Sequence, residues 1–223
     1  AAVINRIAEY RPAPRFHELW RERVDTLDVP DEVRAMLLYP SQVDQLLTAM
    51  PDVGSASYLH AGCHTTLSCN VIHGAHDAKT NVIPDSIEIE VDVRTLPGEG
   101  ADEVQAHLDA ALGDLAGKVT VEPIMNDPAS ISRTDNPMWD AIGRAVHRRF
   151  PESRLSPTFA VGFTDSRIYR EKGAVAYCAG LMSPCLDPGQ FAQRFHGHDE
   201  RVDVESMGLT TQFYVDVARD LLG

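Results

Sequence analysis

The chain has 223 residues, 43% hydrophobic and 24% charged, enough to bury the core of one large domain or two small ones. A net charge of −13 and a pI near 5.0 give a surface that repels phosphate backbones, so no nucleic-acid partner is expected. No stretch approaches the ~20 continuous apolar residues that span a bilayer, and no basic-then-apolar leader opens the sequence, so the expectation is no membrane partner and a cytoplasmic location.

Residues 1–9 place Val3, Ile4, Ile7 and Ala8 on one side of a helix. The chain opens on Ala1-Ala2-Val3 without Met and already in helical register, which reads as a chain cut from a longer one. Arg11-Pro12-Ala13-Pro14 breaks the helix. Helical runs follow at 16–26, 30–38 and 41–49, with Pro30-Asp31-Glu32 and Pro40-Ser41 as starts. Together, 11–60 reads as a helical insertion between the first helix and the strands that follow.

From His64 the period changes to two: His64, Thr66, Ser68 and Asn70 alternate with Thr65, Leu67, Cys69 and Val71. After a turn from Gly74 to Lys79, Ile87, Ile89, Val91 and Val93 alternate with Glu88, Glu90, Asp92 and Arg94, the clearest strand in the sequence. Pro97-Gly98-Glu99-Gly100 is a turn, and 101–113 an amphipathic helix with Val104, His107, Leu108 and Leu112 inward. Val119, Val121 and Pro123 suggest one more short strand. This order predicts a small α+β sandwich over 1–125, with helices on one face of an antiparallel sheet.

Residues 124–135 are polar and turn-rich, and the pattern over 126–223 then becomes α/β. Asn136-Pro137 starts a helix to about Arg149, and Thr158–Val161 and Ala174–Cys178 read as buried strands flanking a helix at 165–172. A long loop, 180–199, precedes a last helix over 204–222 with Met207, Leu209, Phe213, Val217 and Leu221 inward. Cys63, Cys69, Cys178 and Cys185 form no Cys-x-x-Cys pair and read as free thiols in a reducing compartment.

Four places could carry chemistry. His196-Gly197-His198-Asp199-Glu200 offers imidazoles beside acids that can orient them, or is simply a solvated His-rich loop. Gly162-Phe163-Thr164-Asp165-Ser166-Arg167 lies where a strand would feed a helix, a position for an anion or for a plain helix cap. Asn81-Val82-Ile83-Pro84-Asp85 is turn chemistry, and Arg94 at a strand end suits a carboxylate clamp or a surface pair with Asp92. His73-Gly74-Ala75-His76-Asp77 suits a hairpin better than a metal, and His17, His60, His107 and His147 read as structural or exposed.

In this order, "KTNVIPDSIEIEVDVRTLPG", "VGFTDSRIYREKGAVAYCAG" and "FHGHDERVDVESMGLTTQFYVDVARDLL" resemble the zinc metallopeptidase family of acetylornithine deacetylase, succinyl-diaminopimelate desuccinylase, aminoacylase and carnosinase-type dipeptidases. The first stretch looks like that family's lid, or dimerisation, domain. The other two look like the C-terminal part of its α/β catalytic domain. The resemblance implies two zinc ions, a water activated by a Glu, hydrolysis of amide bonds in N-acyl amino acids or small peptides, and a homodimer through the lid. It implies that His196 is a zinc ligand supported by Glu200, and that Thr164, Asp165 and Arg167 line the substrate site. Asn81 and Arg94 fall on lid positions that approach the substrate carboxylate.

The family's His-x-Asp motif, bridging Asp, Glu-Glu pair and further acidic ligand precede the lid and are absent from these residues, as is the lid's first strand with its oxyanion-stabilising His. A single His does not hold a four-coordinate catalytic zinc, so the isolated chain is expected to be catalytically incomplete. Two alternatives stand beside the enzyme: a non-catalytic dimerisation or interaction module, and an unrelated metal-binding protein using His73, His76, His196 and His198.

Overall fold

The computed structural model describes residues 1–74, 79, 81–186, 194 and 198–223. The chain divides into two compact units: Ala1–His17 with Cys63–Ala129, and Glu18–Gly62 with Ser130–Gly223. Among the described residues the structure is mostly helical, with one two-stranded antiparallel sheet.

In the first unit, α1 (Ala2–Glu9) and α6 (Ala101–Leu112) pack together, and α1 also packs on β1. Strand β1 (Thr66–His73) pairs with β2 (Glu88–Arg94), from Thr66 opposite Arg94 to His73 opposite Glu88. The register slips between Cys69 and Val71, so Asn70 is an extra residue in β1. Helical spacing and strand alternation converge on one apolar cluster. Ile7, Ala111 and Leu112 are buried in it, with Val3, Leu67, Cys69, Val91 and Val119 packed against them. Each large aliphatic side chain buried there contributes about 1.5–3 kcal/mol. Gly113 follows α6 at φ 55, a left-handed conformation that favours glycine. A 3-10 helix, Gly113–Lys118, comes next.

The places where the chain leaves and re-enters this unit are joined directly. Arg15 N–H donates to the Cys63 carbonyl at 2.8 Å. The Arg15 guanidinium donates to Glu99 Oε1 at 2.8 Å, and the Thr65 hydroxyl donates to Glu99 Oε2.

In the second unit, α2 (Glu18–Thr26), α3 (Asp31–Leu37) and α4 (Pro40–Ala49) bury Leu19, Trp20, Val24, Leu37, Val43 and Leu47. Trp20 satisfies its indole N–H on the Leu37 carbonyl at 3.0 Å. Arg34 donates to the carbonyls of Val24 at 2.5 Å and Leu27 at 2.8 Å, groups a helix end leaves without partners. Helix α5 (Val53–Cys63) was not anticipated, because its small and apolar residues mark no single face. Gly62 lets this helix pass close to Trp20: a Cβ there would lie 3.2 Å from the ring, closer than ordinary contact.

Helices α7 (Pro137–His147) and α9 (Val204–Leu222) pack along their length, with the shorter α8 (Ser166–Glu171) between them in sequence. Asn136 starts α7 by accepting from the N–H groups of Met138 and Trp139, both at 3.1 Å. The core here is Ala141, Ile142, Ala145, Leu181, Phe213 and Val217. Arg149 meets Asp216 at 2.5 Å, and Arg144 and Arg148 meet Asp220 at 3.1 and 2.5 Å. Met207 and Leu221, read from the sequence as inward, are instead exposed, while Ser206 and Asp216 are buried.

The α/β expectation for 126–223 and the third strand at 119–123 need correction. The segments 119–123, 158–161 and 174–178 form no ladder among the described residues. The run 176–181 shows why an extended apolar segment need not join a sheet, since side chains take several of its backbone groups. Ser132 accepts from Ala176 N–H at 3.0 Å and Arg170 donates to the Ala176 carbonyl at 2.7 Å. The Tyr214 hydroxyl donates to the Ala179 carbonyl at 2.8 Å, and Thr210 bonds both backbone groups of Leu181.

Candidate functional site

The sequence-derived site residues divide between the two units. Asn81 and Arg94 belong to the first; Thr164, Asp165, Arg167 and Glu200 belong to the second. His196 lies outside the described residues, as do His76 and Asp77.

Asn81 is exposed, in a turn where Val82 N–H donates to the Lys79 carbonyl at 3.0 Å. Arg94 ends β2, half-exposed, with Nε donating to Asp92 Oδ2 at 2.9 Å. That is the surface pair the sequence offers as the alternative to a carboxylate clamp. His73 meets Glu90 across the strands at 2.6 Å.

In the second unit, Thr164 is half-buried and precedes Asp165, which occupies the N-cap position of α8. Asp165 already has helical φ and ψ of −65° and −14°, and its side chain makes no capping bond. The capping alternative is therefore not what its carboxylate does. Arg167 projects from the first turn of α8, its guanidinium 4.4 Å from the centroid of the Phe163 ring. Its NH1 lies 3.9 Å from Glu171, one turn along the helix. A guanidinium set over an aromatic face is held in place by that contact. Glu200 is exposed, and its neighbour Arg201 pairs with Asp199 at 3.1 Å. His107 and His147 are structural, as their helical placement suggested: His107 Nδ1 bonds the Tyr10 hydroxyl at 2.9 Å, and His147 Nε2 the Ser153 carbonyl at 3.0 Å.

The most enclosed acid among the described residues of the first unit was missed. Glu99 is 4% exposed and accepts from Arg15, from the Thr65 hydroxyl and from Leu96 N–H at 3.1 Å, with His107 Nε2 at 4.0 Å. Burial pushes its carboxyl upward. The bonds from Thr65, Arg15 and Leu96, with the Arg15 charge, outweigh that and hold it below the usual glutamate value. A glutamate inside a Pro-Gly-Glu-Gly turn gives no sign in the sequence that partners lie at positions 15 and 65.

None of the four cysteines is in a disulfide; burial pushes the Cys69 thiol up, away from reactivity. Within either unit taken alone, the described residues bring no three His, Cys, Asp or Glu donors together at ligand spacing. No helix among the described residues is long and apolar enough to cross a membrane.

Residues 16–120 match the peptidase dimerisation domain of the M20 family, which is a metal-dependent family. The chain is similar to a probable carboxypeptidase S-like 2 of Dictyostelium discoideum, 23% identical over 158 residues, 70% of this chain and 29% of that protein. It is similar to the N-fatty-acyl-amino acid synthase/hydrolase PM20D1 of Xenopus tropicalis, 28% identical over 145 residues, 64% of this chain and 27% of that protein. The related PM20D1.1 of Danio rerio is 25% identical over 186 residues, 82% of this chain and 34% of that protein. The chain thus spans about a third or less of the length of these curated relatives. No solved structure matches it. Over residues 16–120 the chain matches the M20 peptidase dimerisation domain, and it is distantly related to the carboxypeptidase S-like and PM20D1 proteins.

Proposed function

We propose that these residues form the dimerisation domain and an adjoining C-terminal part of a zinc-dependent hydrolase that cleaves amide bonds of N-acyl amino acids or small peptides. The observation that carries this reading is the dimerisation-domain match over 16–120. The names of the relatives, a carboxypeptidase and N-fatty-acyl-amino acid hydrolases, share an amide bond beside an amino-acid carboxylate. In this reading His196 is a zinc ligand with Glu200 in support, and Thr164, Asp165 and Arg167 line the substrate site. Asn81 and Arg94 approach the substrate carboxylate from the dimerisation domain, and the working form is a homodimer.

The test is hydrolysis of a panel of N-acyl amino acids and dipeptides, with zinc and after chelation, by the whole protein and by these 223 residues alone. Turnover by the whole protein that chelation abolishes supports the reading, and a zinc-replete whole protein inactive on the panel sinks it. The 223 residues alone should show no turnover above a metal-only control; turnover there refutes the expected incompleteness. A second reading, a non-catalytic dimerisation module, is favoured by the fact that the family match falls on the dimerisation domain itself. An inactive whole protein that still dimerises selects it.

A further inference from the structure

Helix α8 is held in place by bonds rather than by packing. None of its residues, Ser166–Glu171, is buried, and Ile168 and Tyr169 are well exposed. A helix this short is marginal by itself. Asp165, at its N-cap position, makes no side-chain capping bond. At the other end, Lys172 N–H donates to the Tyr169 carbonyl at 3.1 Å and Gly173 N–H to the Arg170 carbonyl at 2.9 Å. Those bonds close the last turn locally.

Arg170, in that last turn, reaches the rest of the second unit. Its Nε donates to the Ser132 hydroxyl at 3.2 Å and to the Ala176 carbonyl at 3.1 Å, and NH2 donates to the same carbonyl at 2.7 Å. NH1 donates to the Ser130 hydroxyl at 3.3 Å and its carbonyl at 3.5 Å. Ser132 completes the joint: its hydroxyl donates to the Ala176 carbonyl at 3.1 Å and accepts from Ala176 N–H at 3.0 Å. Each of these acceptors is neutral. The planar fork of donors is therefore used to join three stretches, 130–132, α8 and 176, rather than to balance a charge. Ser166 adds a long contact from Oγ to Cys178 Sγ at 3.6 Å.

Arg167 lies three residues before Arg170, one turn along the same helix, with Thr164 and Asp165 just ahead of it. A helix of this length moves as one piece, so whatever docks its last turn also sets the place of its first. We propose that Arg170 is a positioning residue: through Ser132 and Ala176 it docks α8 and so fixes where Arg167, with Thr164 and Asp165, meets a substrate. The inference rests on the reading of those three residues as lining the substrate site, given under Proposed function.

The test uses the whole, zinc-replete protein with the best substrate of the N-acyl amino acid and dipeptide panel. The readouts are KM and kcat, and hydrogen exchange of the amides at 172–176 against those at 208–222. Arg170→Met removes the fork. Ser132→Ala removes the hydroxyl on the opposite side of the joint, and decides the matter if Arg170→Met does not fold. Both should speed exchange at 172–176 and leave 208–222 unchanged. Arg170→Met should raise KM about tenfold with kcat changed less, within the roughly 100-fold that a misplacement of about 1 Å can cost. Ser132→Ala should move KM in the same direction by less. Added to Arg167→Gln, Arg170→Met should raise KM by less than about threefold, because residues that act through one another do not add.

Unchanged exchange at 172–176 in both variants overturns the docking. Faster exchange there with unchanged KM, or the full tenfold rise on top of Arg167→Gln, overturns the positioning role. So does equal acceleration through 208–222, which reports a general loss of stability. Arg167→Gln alone separates the two levels of inference. If it leaves KM unchanged, the substrate-site reading fails and the role toward substrate with it. If it raises KM while Arg170→Met and Ser132→Ala do not, only the positioning role fails.

Discussion

Glu99 shows how a buried charge is kept in the first unit. Arg15, Thr65 and the Leu96 N–H use both of its carboxylate oxygens, so it is satisfied in a way a buried acid must be. Glu99→Gln keeps the shape but loses the charge-assisted bond from Arg15, and should cost about 2 kcal/mol in urea denaturation at neutral pH. The pH dependence has a definite sign. A carboxyl held below its usual value in the folded chain binds fewer protons there than when unfolded, at pH values between the two. Its contribution is fully present above the usual glutamate value and is lost as pH falls through the lower folded value. Wild type should therefore lose part of its margin over Glu99→Gln on acidification below the usual glutamate range. A margin that grows in acid would contradict this account. At the proposed substrate site, Arg167→Gln should raise KM for N-acyl amino acids about 10- to 100-fold in the whole protein, the value of a charged hydrogen bond, and change kcat less. Legibility at this scale was uneven. Arg94 beside Asp92 could be read because both lie in one strand, two residues apart. Glu99 could not, because its side-chain partners, Arg15 and Thr65, come from chain segments far away in sequence.

Among the elements, those with both periodicity and end signals were legible. Helix α9 has Asp203 before it and an apolar stripe through Phe213 and Val217; α7 has Asn136-Pro137 at its start. Replacing Asn136 by Ala should cost about 1 kcal/mol through the lost cap. Phe213→Ala, at 2% exposure between α7 and α9, should cost about 3–5 kcal/mol. Thermal or urea denaturation measures both, and equal effects would mean that Phe213 is not the centre of that core. Strands β1 and β2 were legible because alternation runs through eight and seven residues. The runs at 158–161 and 174–178 were misread because short apolar stretches fit a buried strand and an irregular extended segment equally well. Only tertiary partners such as Ser132, Thr210 and Tyr214 decide between them.

At the scale of the whole molecule, the family likeness was legible from three motifs in order, and the dimerisation-domain match bears it out. The candidate site was less so, since its residues lie in two units and its proposed metal ligand outside the described residues. A dimer is the expected assembly, and with a charge of −13 on each chain its formation works against like-charge repulsion. Sedimentation equilibrium should therefore show tighter self-association as salt rises from about 50 to about 300 mM, because screening shortens that repulsion. A monomer at every concentration and salt would oppose the dimer. The joined crossing points at Arg15, Cys63, Thr65 and Glu99 carry a last consequence. The path from Glu18 to Gly62 begins and ends at one stitched spot, so it is a detour whose length and sequence can drift while the strands and helices on either side keep their register. Relatives should then differ in length between those two points, within what the bonds from Thr26 to Ser156 and from Tyr58 to Phe159 allow.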